Sequence, residues 1–335
     1  MARVLVAALV AMIIAILSGP TFIAFLRRNE FGQHIREELP AHHLEKQGTP
    51  TMGGLLIVLA ATIAFLPLSD YTLPALTVFG TAVACGAIGF LDDFTKLRHK
   101  RSLGLRGRWK MLMLLGITAA VGAAAHHQHL SHHVYVPVAD FSIPLGPVWY
   151  GLLFLIIAGA VNGVNLADGV DGLAAGTSII ALATLTAMAV TIFIRSGHPR
   201  IQNRLDVAFI GAALIGAAIG FLWFNASPAE VIMGDTGAMA LGGAMAGMAI
   251  MMKVELLLLF IGGIFAVEAI SVMLQVVSFK YWKRRIFLMA PIHHHFEMKA
   301  WSATKIMVRF WIVTAILCAA GFALFYKYFL QFRGQ

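Results

Sequence analysis

The sequence predicts an all-α polytopic membrane protein of about ten transmembrane helices, and three observations carry that expectation. Of 335 residues, 59% are hydrophobic and only 12% charged, whereas soluble domains carry roughly a quarter charged residues. Mean hydropathy is +0.82, so the polar side chains are too few to cover the particle against water, and lipid must do so. The apolar residues also fall into ten runs near the length, about 17 to 25 residues, that crosses a hydrocarbon layer roughly 30 Å thick.

The first run, 3–26, is too long for a signal-peptide core and leads straight into Arg27 and Arg28, so it reads as a retained span. The second, 52–68, follows the glycine-rich entry KQGTPTMGG, and the third, 74–91, ends in FLDDFTK. A basic loop leads to the fourth, 109–125. An outer loop with His126, His127, His129, His132 and His133 and no Lys or Arg follows it. Its continuation VYVPVADFSIPLGP alternates apolar residues between Pro and Gly, the pattern of a small surface hairpin. Runs 147–164, 173–194, 206–224, 236–252, 254–278 and 306–330 complete the set. No repeat or linker divides the chain, so residues 1–335 are read as one integral membrane domain.

Charge assigns the sides. Eighteen of the 25 Lys and Arg lie in the three loops at 27–50, 96–110 and 280–309. By the positive-inside rule these loops are cytoplasmic and both termini periplasmic, which makes the hairpin periplasmic too. The net charge of +9 forms no continuous basic face, so a nucleic-acid partner is excluded. Cys85 and Cys318 lie inside apolar runs and offer neither a disulfide framework nor a zinc site. The five outer histidines read as a solvated loop with at most adventitious metal binding.

Polar side chains at the edge of membrane spans are costly and mark function. Five clusters stand on the predicted cytoplasmic side. In KQGTPTMGG, Lys46, Thr49 and Thr51 beside Gly48, Gly53 and Gly54 suit phosphate. Asp92 and Asp93, with Lys96 a turn on, put negative charge at a helix C-terminus against its dipole, a local cost that favours a task such as cation binding or proton acceptance. Asn162, Asn165, Asp168 and Asp171 recur every three residues with no basic neighbour, which suits a cation or sugar hydroxyls. Asp235 follows Asn225 of FLWFN and precedes a glycine-rich helix start, where an anion or the carboxylate itself is held. His293, His294 and His295 are adjacent, wrong for a helical zinc pair but able to meet phosphate oxygens. Glu268, Ser271, Gln275 and Ser278 add a polar stripe through the ninth run.

Carboxylates, lysines and imidazoles on one membrane face form the inventory of metal-assisted phosphoryl transfer, with Mg²⁺ as the cation. There is no phosphate-binding glycine loop of the soluble nucleotide type, so the second reactant is expected to be a lipid phosphate arriving through the bilayer. A secondary transporter with intramembrane carboxylates is the alternative of a different class. Its sites lie near the bilayer midplane between repeats, and here the polar groups cluster at one interface.

In order, KQGTPTMGG, FLDDFTK, NGVNLADGVDGLA, FLWFN, MGDTGAMALGG and RIFLMAPIHHHFE resemble the phospho-N-acetylmuramoyl-pentapeptide-transferase family, within the polyprenyl-phosphate N-acetylhexosamine-1-phosphate transferases. The resemblance runs from residue 46 to 297, and the closing VRFWIV extends it into the last span. It implies ten spans, a homodimer in the bacterial inner membrane and a cytoplasmic active site. The implied reaction moves phospho-MurNAc-pentapeptide from UDP-MurNAc-pentapeptide to undecaprenyl phosphate with Mg²⁺, the first membrane step of peptidoglycan synthesis. A related UDP-GlcNAc-dependent transferase is the neighbouring alternative. By the same resemblance, Asp235 is the Mg²⁺ ligand, Asp92 orients or deprotonates the lipid phosphate, and Asp93 is the second carboxylate of its motif. Lys46, Thr51, Asn165, Asp168, Asp171, Asn225, Gln275 and His294 are implied nucleotide-sugar contacts, with Lys96, His293 and His295 beside them. One departure is Ile232, where the family often places an aromatic residue that stacks on uracil.

Overall fold

The computed structural model describes residues 2–29, 48–99, 103–137, 139, 141–195 and 202–331. The helices are α1 (Ala2–Arg28), α2 (Gly54–Phe65), α3 (Leu73–Arg98), α4 (Gly107–His127), α5 (Val148–Ala167), α6 (Leu173–Arg195), α7 (Gln202–Asn225), α8 (Gly234–Met251), α9 (Leu258–Ile261), α10 (Gly263–Trp282), α11 (Ile292–Glu297) and α12 (Ala303–Gln331). A two-stranded antiparallel hairpin, β1 (His133–Val136) and β2 (Phe141–Pro144), pairs His133 with Pro144 and Val136 with Phe141. The all-α membrane architecture and the hairpin agree with the sequence reading.

Among the described residues, eight helices are long and apolar enough to cross a membrane. The other two predicted runs fall on α2 and α8. At 12 residues, α2 reaches only about 18 Å, because its run gives up Met52 and Gly53 at the front and residues 66–68 at the back to turns, and an extended segment around Pro50 leads into it. That segment pairs with the chain before α8: Ile232 N–H donates to the Pro50 carbonyl (2.8 Å), and Gly53 N–H donates to the Ile232 carbonyl (2.9 Å). Helix α8 has 18 residues, rich in Gly and Ala, and all from Asp235 to Met251 are buried in protein. The ninth run breaks at Gly262 and Gly263, between the single turn of α9 and the long α10, where two glycines weaken helix propagation.

Helix α8 is the axis of the bundle. Small residues let its neighbours approach to backbone contact, as in other membrane helix pairs. A methyl group on Gly243 would lie 2.8 Å from Cys85 Sγ of α3, one on Gly242 would lie 2.7 Å from the Ala160 carbonyl of α5, and one on Gly54 of α2 would strike the backbone of Gly237. The contacts Gly247–Val78, Gly243–Cys85 and Gly89–Asp235 run in opposite orders along the two chains. Helices α3 and α8 are therefore antiparallel, and the C-terminal end of α3 meets the first turn of α8.

At the far end of the bundle, the indole N–H of Trp149 donates to Glu255 (3.1 Å), and the Lys253 ammonium lies 4.5 Å above the same ring. His132, just before β1, stacks on Trp149 at 5.1 Å. This cluster ties the hairpin to the starts of α5 and α9.

Candidate active site

Asp92 and Asp93 sit in the last turns of α3, and Asp235 in the first turn of α8. Helix α8 has no side-chain cap of its own, so its first N–H groups need acceptors from elsewhere. Asp93 supplies them from α3. Its Oδ2 accepts the backbone N–H of Thr236 (2.9 Å) and the Thr236 hydroxyl (2.8 Å), and its Oδ1 accepts the N–H of Asp235 (3.2 Å). An anion at a helix N-terminus also complements the dipole. Gly234, at φ +73°, makes the turn into α8; a side chain there would be strained and 2.8 Å from Asp93 Oδ2.

Asp92 and Asp235 are held differently. Lys96 Nζ stands 2.7 Å from Asp92 Oδ2 and 2.9 Å from Asp235 Oδ1, with Asp93 Oδ1 at 3.7 Å. Lys110 Nζ, from the first turn of α4, stands 3.0 Å from Asp92 Oδ1 and 2.9 Å from Asp235 Oδ2. Two ammonium groups thus bridge two carboxylates in a closed ring. The Leu105 N–H adds a 2.6 Å bond to Asp92 Oδ1. The Asp92 side chain is 1% exposed, whereas Lys96 is 30% and Lys110 17% exposed, so the ring opens to solvent on its lysine side.

The residues fit a divalent cation. Ligand atoms from Asp92, Asp93 and Asp235 all lie within 4.8 Å of one another, the hard oxygen donors such an ion requires. The space between Asp92 and Asp235 already holds positive charge, borne by nitrogen. Asp93 is committed to α8, which leaves Asp92 and Asp235 as the carboxylates able to turn to an ion. Among the described residues no comparable group forms from the outer histidines.

The loops around this ring are held by the other polar residues found in the sequence. Asp168 Oδ2 accepts the N–H of Gly234 (3.0 Å), and Asp171 Oδ2 accepts that of Ala229 (3.3 Å). Asn225 is buried, with its Oδ1 accepting from Gly172 N–H (3.0 Å) and its Nδ2 donating to the Val231 carbonyl (2.9 Å). The segments 162–172 and 225–235 are therefore stapled to each other and to the start of α8. Thr51 is buried beside Gly234, Asn165 is half-buried at the end of α5, and Ile232 is buried in the extended pairing. Lys46 lies outside the described residues.

The histidines belong to a second layer. The Gln275 amide of α10 accepts the N–H groups of Ile286 and Phe287 (both 3.0 Å) and donates to the Phe287 carbonyl (3.1 Å), pinning the loop before α11. His293 is fully buried, its Nδ1 3.1 Å from Glu268 and its Nε2 side packed on Gly169. His294 bonds Glu297. His295 Nδ1 accepts the Leu288 N–H (3.2 Å), which leaves the ring proton on Nε2. Desolvation and then the Lys299 ammonium hold its pKa below the ordinary imidazole value. Beside these residues a cavity of about 810 Å³ is lined by Gln275, Lys280, Arg285, Met289 and Met298.

Lys110 is the residue that sequence reasoning missed, having counted it only as loop charge. Its signal was its place two residues inside an apolar run, where an ammonium needs a partner. Glu297, the partner of His294, carried no such signal.

A polytopic bundle with a lysine-bridged carboxylate centre at one end holds the groups that a membrane-embedded transferase acting on phosphate groups requires. The model for glycosyl transferase family 4 matches residues 75–253, and signature 1 of phospho-N-acetylmuramoyl-pentapeptide-transferase matches residues 46–58. Proteins named phospho-N-acetylmuramoyl-pentapeptide-transferase are similar over nearly their whole length. That of Frankia alni is 43% identical, covering 99% of both chains. That of Rubrobacter xylanophilus is 42% identical, covering 97% of this chain and 98% of its own. That of Halalkalibacterium halodurans is 43% identical, covering 93% and 94%. The chain belongs to the phospho-N-acetylmuramoyl-pentapeptide-transferase family, which disfavours the transporter reading.

Proposed function

We propose that this protein transfers phospho-MurNAc-pentapeptide from UDP-MurNAc-pentapeptide to undecaprenyl phosphate, releasing UMP, at the cytoplasmic face of the bacterial inner membrane. The observation that carries the reading is the lysine-bridged Asp92–Asp235 ring at one end of a membrane bundle, in a chain that shares 43% identity with transferases of that name. In the reaction an oxygen of the lipid phosphate bonds to the sugar-linked phosphorus of the donor as the bond to UMP breaks. Such transfers need positioning and charge neutralisation more than covalent help from the protein. Lys96 and Lys110 supply positive charge for donor phosphates. Asp92, enclosed on all but its lysine side, orients the acceptor phosphate and takes its proton where one is present. Asp93 acts on Asp235 by fixing the turn that carries it. Asp235, with Asp92, would hold Mg²⁺, which when bound shields the diphosphate oxygens and the charge on departing UMP.

Thr51, Asn165, Asp168, Asp171 and Lys46 surround the nucleotide-sugar in this reading. Asn225 and Gln275 shape the same walls through the backbone. In this reading the histidine helix meets the lactyl-peptide arm, with His294 a nucleotide-sugar contact and His293 and His295 shaping the turn. Ile232 gives apolar contact to the uracil in place of aromatic stacking. An apolar groove of about 280 Å³ between α5, α8 and α10, with Leu152, Ile156, Gly159 and Phe265 on its walls, suits the prenyl chain. Function as a homodimer with both termini periplasmic completes the proposal.

The test is UMP release by purified protein with undecaprenyl phosphate and Mg²⁺. Turnover of UDP-MurNAc-pentapeptide with little from UDP-GlcNAc is expected, since a site built around a group that is missing can discriminate by about 10⁴-fold. Equal turnover of both donors would reassign the sugar. Single cysteines placed at Ala226 and Lys299, in a background without Cys85 and Cys318, should be shielded from an impermeant thiol reagent in intact cells. A cysteine at Ser131 should label.

A further inference from the structure

We infer that Lys110 is an exchangeable cation: its ammonium occupies the divalent-metal position at Asp235, and metal binding must displace it toward the donor phosphates. Both oxygens of Asp235 are engaged, Oδ1 by Lys96 and Oδ2 by Lys110, each at 2.9 Å. A metal ion bound to either oxygen of Asp235 would therefore stand in close contact with a lysine ammonium. Asp93 is less available, because both of its oxygens bond the first turn of α8.

The two lysines are not equivalent. Lys96 lies on α3 with the aspartates, three and four residues beyond them, and its ammonium is within 3.7 Å of all three carboxylates. Withdrawing it would leave Asp93 without a cationic neighbour. Lys110 comes from a different helix, touches only Asp92 and Asp235, and leaves through its own flexible stem. Charge makes the exchange favourable. Three carboxylates and two ammonium groups sum to one negative charge, and a divalent ion placed among them with both lysines still present would meet two cations at close range. Coulomb repulsion between an ammonium and a divalent ion in contact opposes that arrangement even in a well-screened site. Once displaced, the ammonium stands beside the metal with no carboxylate of its own, the disposition that a diphosphate spanning both would complete. This last step rests on the proposed function, whereas the exchange itself does not.

Mn²⁺ binding to the full-length protein in detergent, read by the electron paramagnetic resonance signal of free Mn²⁺ with no nucleotide or lipid phosphate present, tests the exchange. Lys110→Gln should bind Mn²⁺ at least about tenfold more tightly than the wild type, because the resident competitor is gone. Arg108→Gln, which removes an exposed cation two residues away, should change affinity less than about twofold, as surface charges are screened. Asp235→Asn combined with Lys110→Gln should abolish the tight binding, placing it at this ring. Lys110→Met, screened with Lys110→Gln for monodisperse elution, guards against a misfolded variant. Unchanged or weaker Mn²⁺ binding in either monodisperse Lys110 variant, or equal tightening by Arg108→Gln, would overturn the inference. Because no donor is present, failure of the donor assignment leaves this result standing.

Discussion

Two buried carboxylates in this bundle solve the same problem at opposite ends. Asp93 caps the start of α8 from a neighbouring helix. Asp206, in the first turns of α7, does similar work for the entry to α3. It accepts the Ser69 hydroxyl (2.9 Å) and the Asp70 N–H (3.1 Å) on one oxygen, and the Thr72 N–H (2.9 Å) and hydroxyl (2.8 Å) on the other. The twenty residues of α3 between Thr72 and Asp92 separate the two ends by about 30 Å. Burial and capping alone therefore do not make a reactive centre. At the Asp93 end a second pair of carboxylates stands alongside, bridged by partly exposed lysines. At the Asp206 end each carboxylate oxygen is answered, among the described residues, by neutral donors.

That contrast can be broken by substitution. The largest effect is expected for Asp235→Asn, with UMP release falling on the order of 10³-fold and melting temperature little changed, because the residue serves the ring more than the fold. A Mg²⁺ titration should show the loss concentrated in metal dependence. Asp206→Asn should do the opposite: about 2 to 3 kcal/mol of stability lost in a detergent unfolding titration, since an amide presents N–H where donors await an acceptor, with turnover per folded molecule preserved. Asp93→Asn should fall between, losing both stability and turnover, and a variant that lost turnover alone would give Asp93 a direct chemical part. Thr236→Val should cost about 1 kcal/mol through its single hydroxyl bond to Asp93, with a small drop in turnover. Ser69→Ala, its counterpart at the quiet end, should cost a similar amount with no drop.

The fold class was legible because lipid imposes it: composition and run length decide helices, and eight of the ten runs became long apolar helices. Of the two that did not, α8 is buried wholly in protein, and α2 is cut short by the turns at its ends. Gly54 and Gly237 are selected for close backbone approach, and hydropathy does not register that. In the site, carboxylates at span ends were visible as local costs, and Asp92, Asp93 and Asp235 do converge. Their division of labour was not visible, because Asp93 is distinguished from Asp92 only by which helix start faces it. Asn225 and Gln275 were legible as polar residues at strategic places, while their partners are backbone groups that any sequence would supply. Lys110 was hidden among seven basic residues, and Asp206 near a basic loop read only for orientation.

The complete burial of α8 bears on how the protein is made. A segment this rich in glycine, with an aspartate in its first turn and no side turned to lipid, has little to gain by partitioning into a bilayer by itself. Its favourable surroundings are α3 and α5, which precede it in the chain and so are synthesised earlier. The packing of α8 on α3 that gives it a protein environment is also what brings Asp235 to Asp93. A chain whose α3 cannot receive α8 would leave a poorly apolar segment stranded at the insertion machinery, exposed to membrane proteases before the bundle could close.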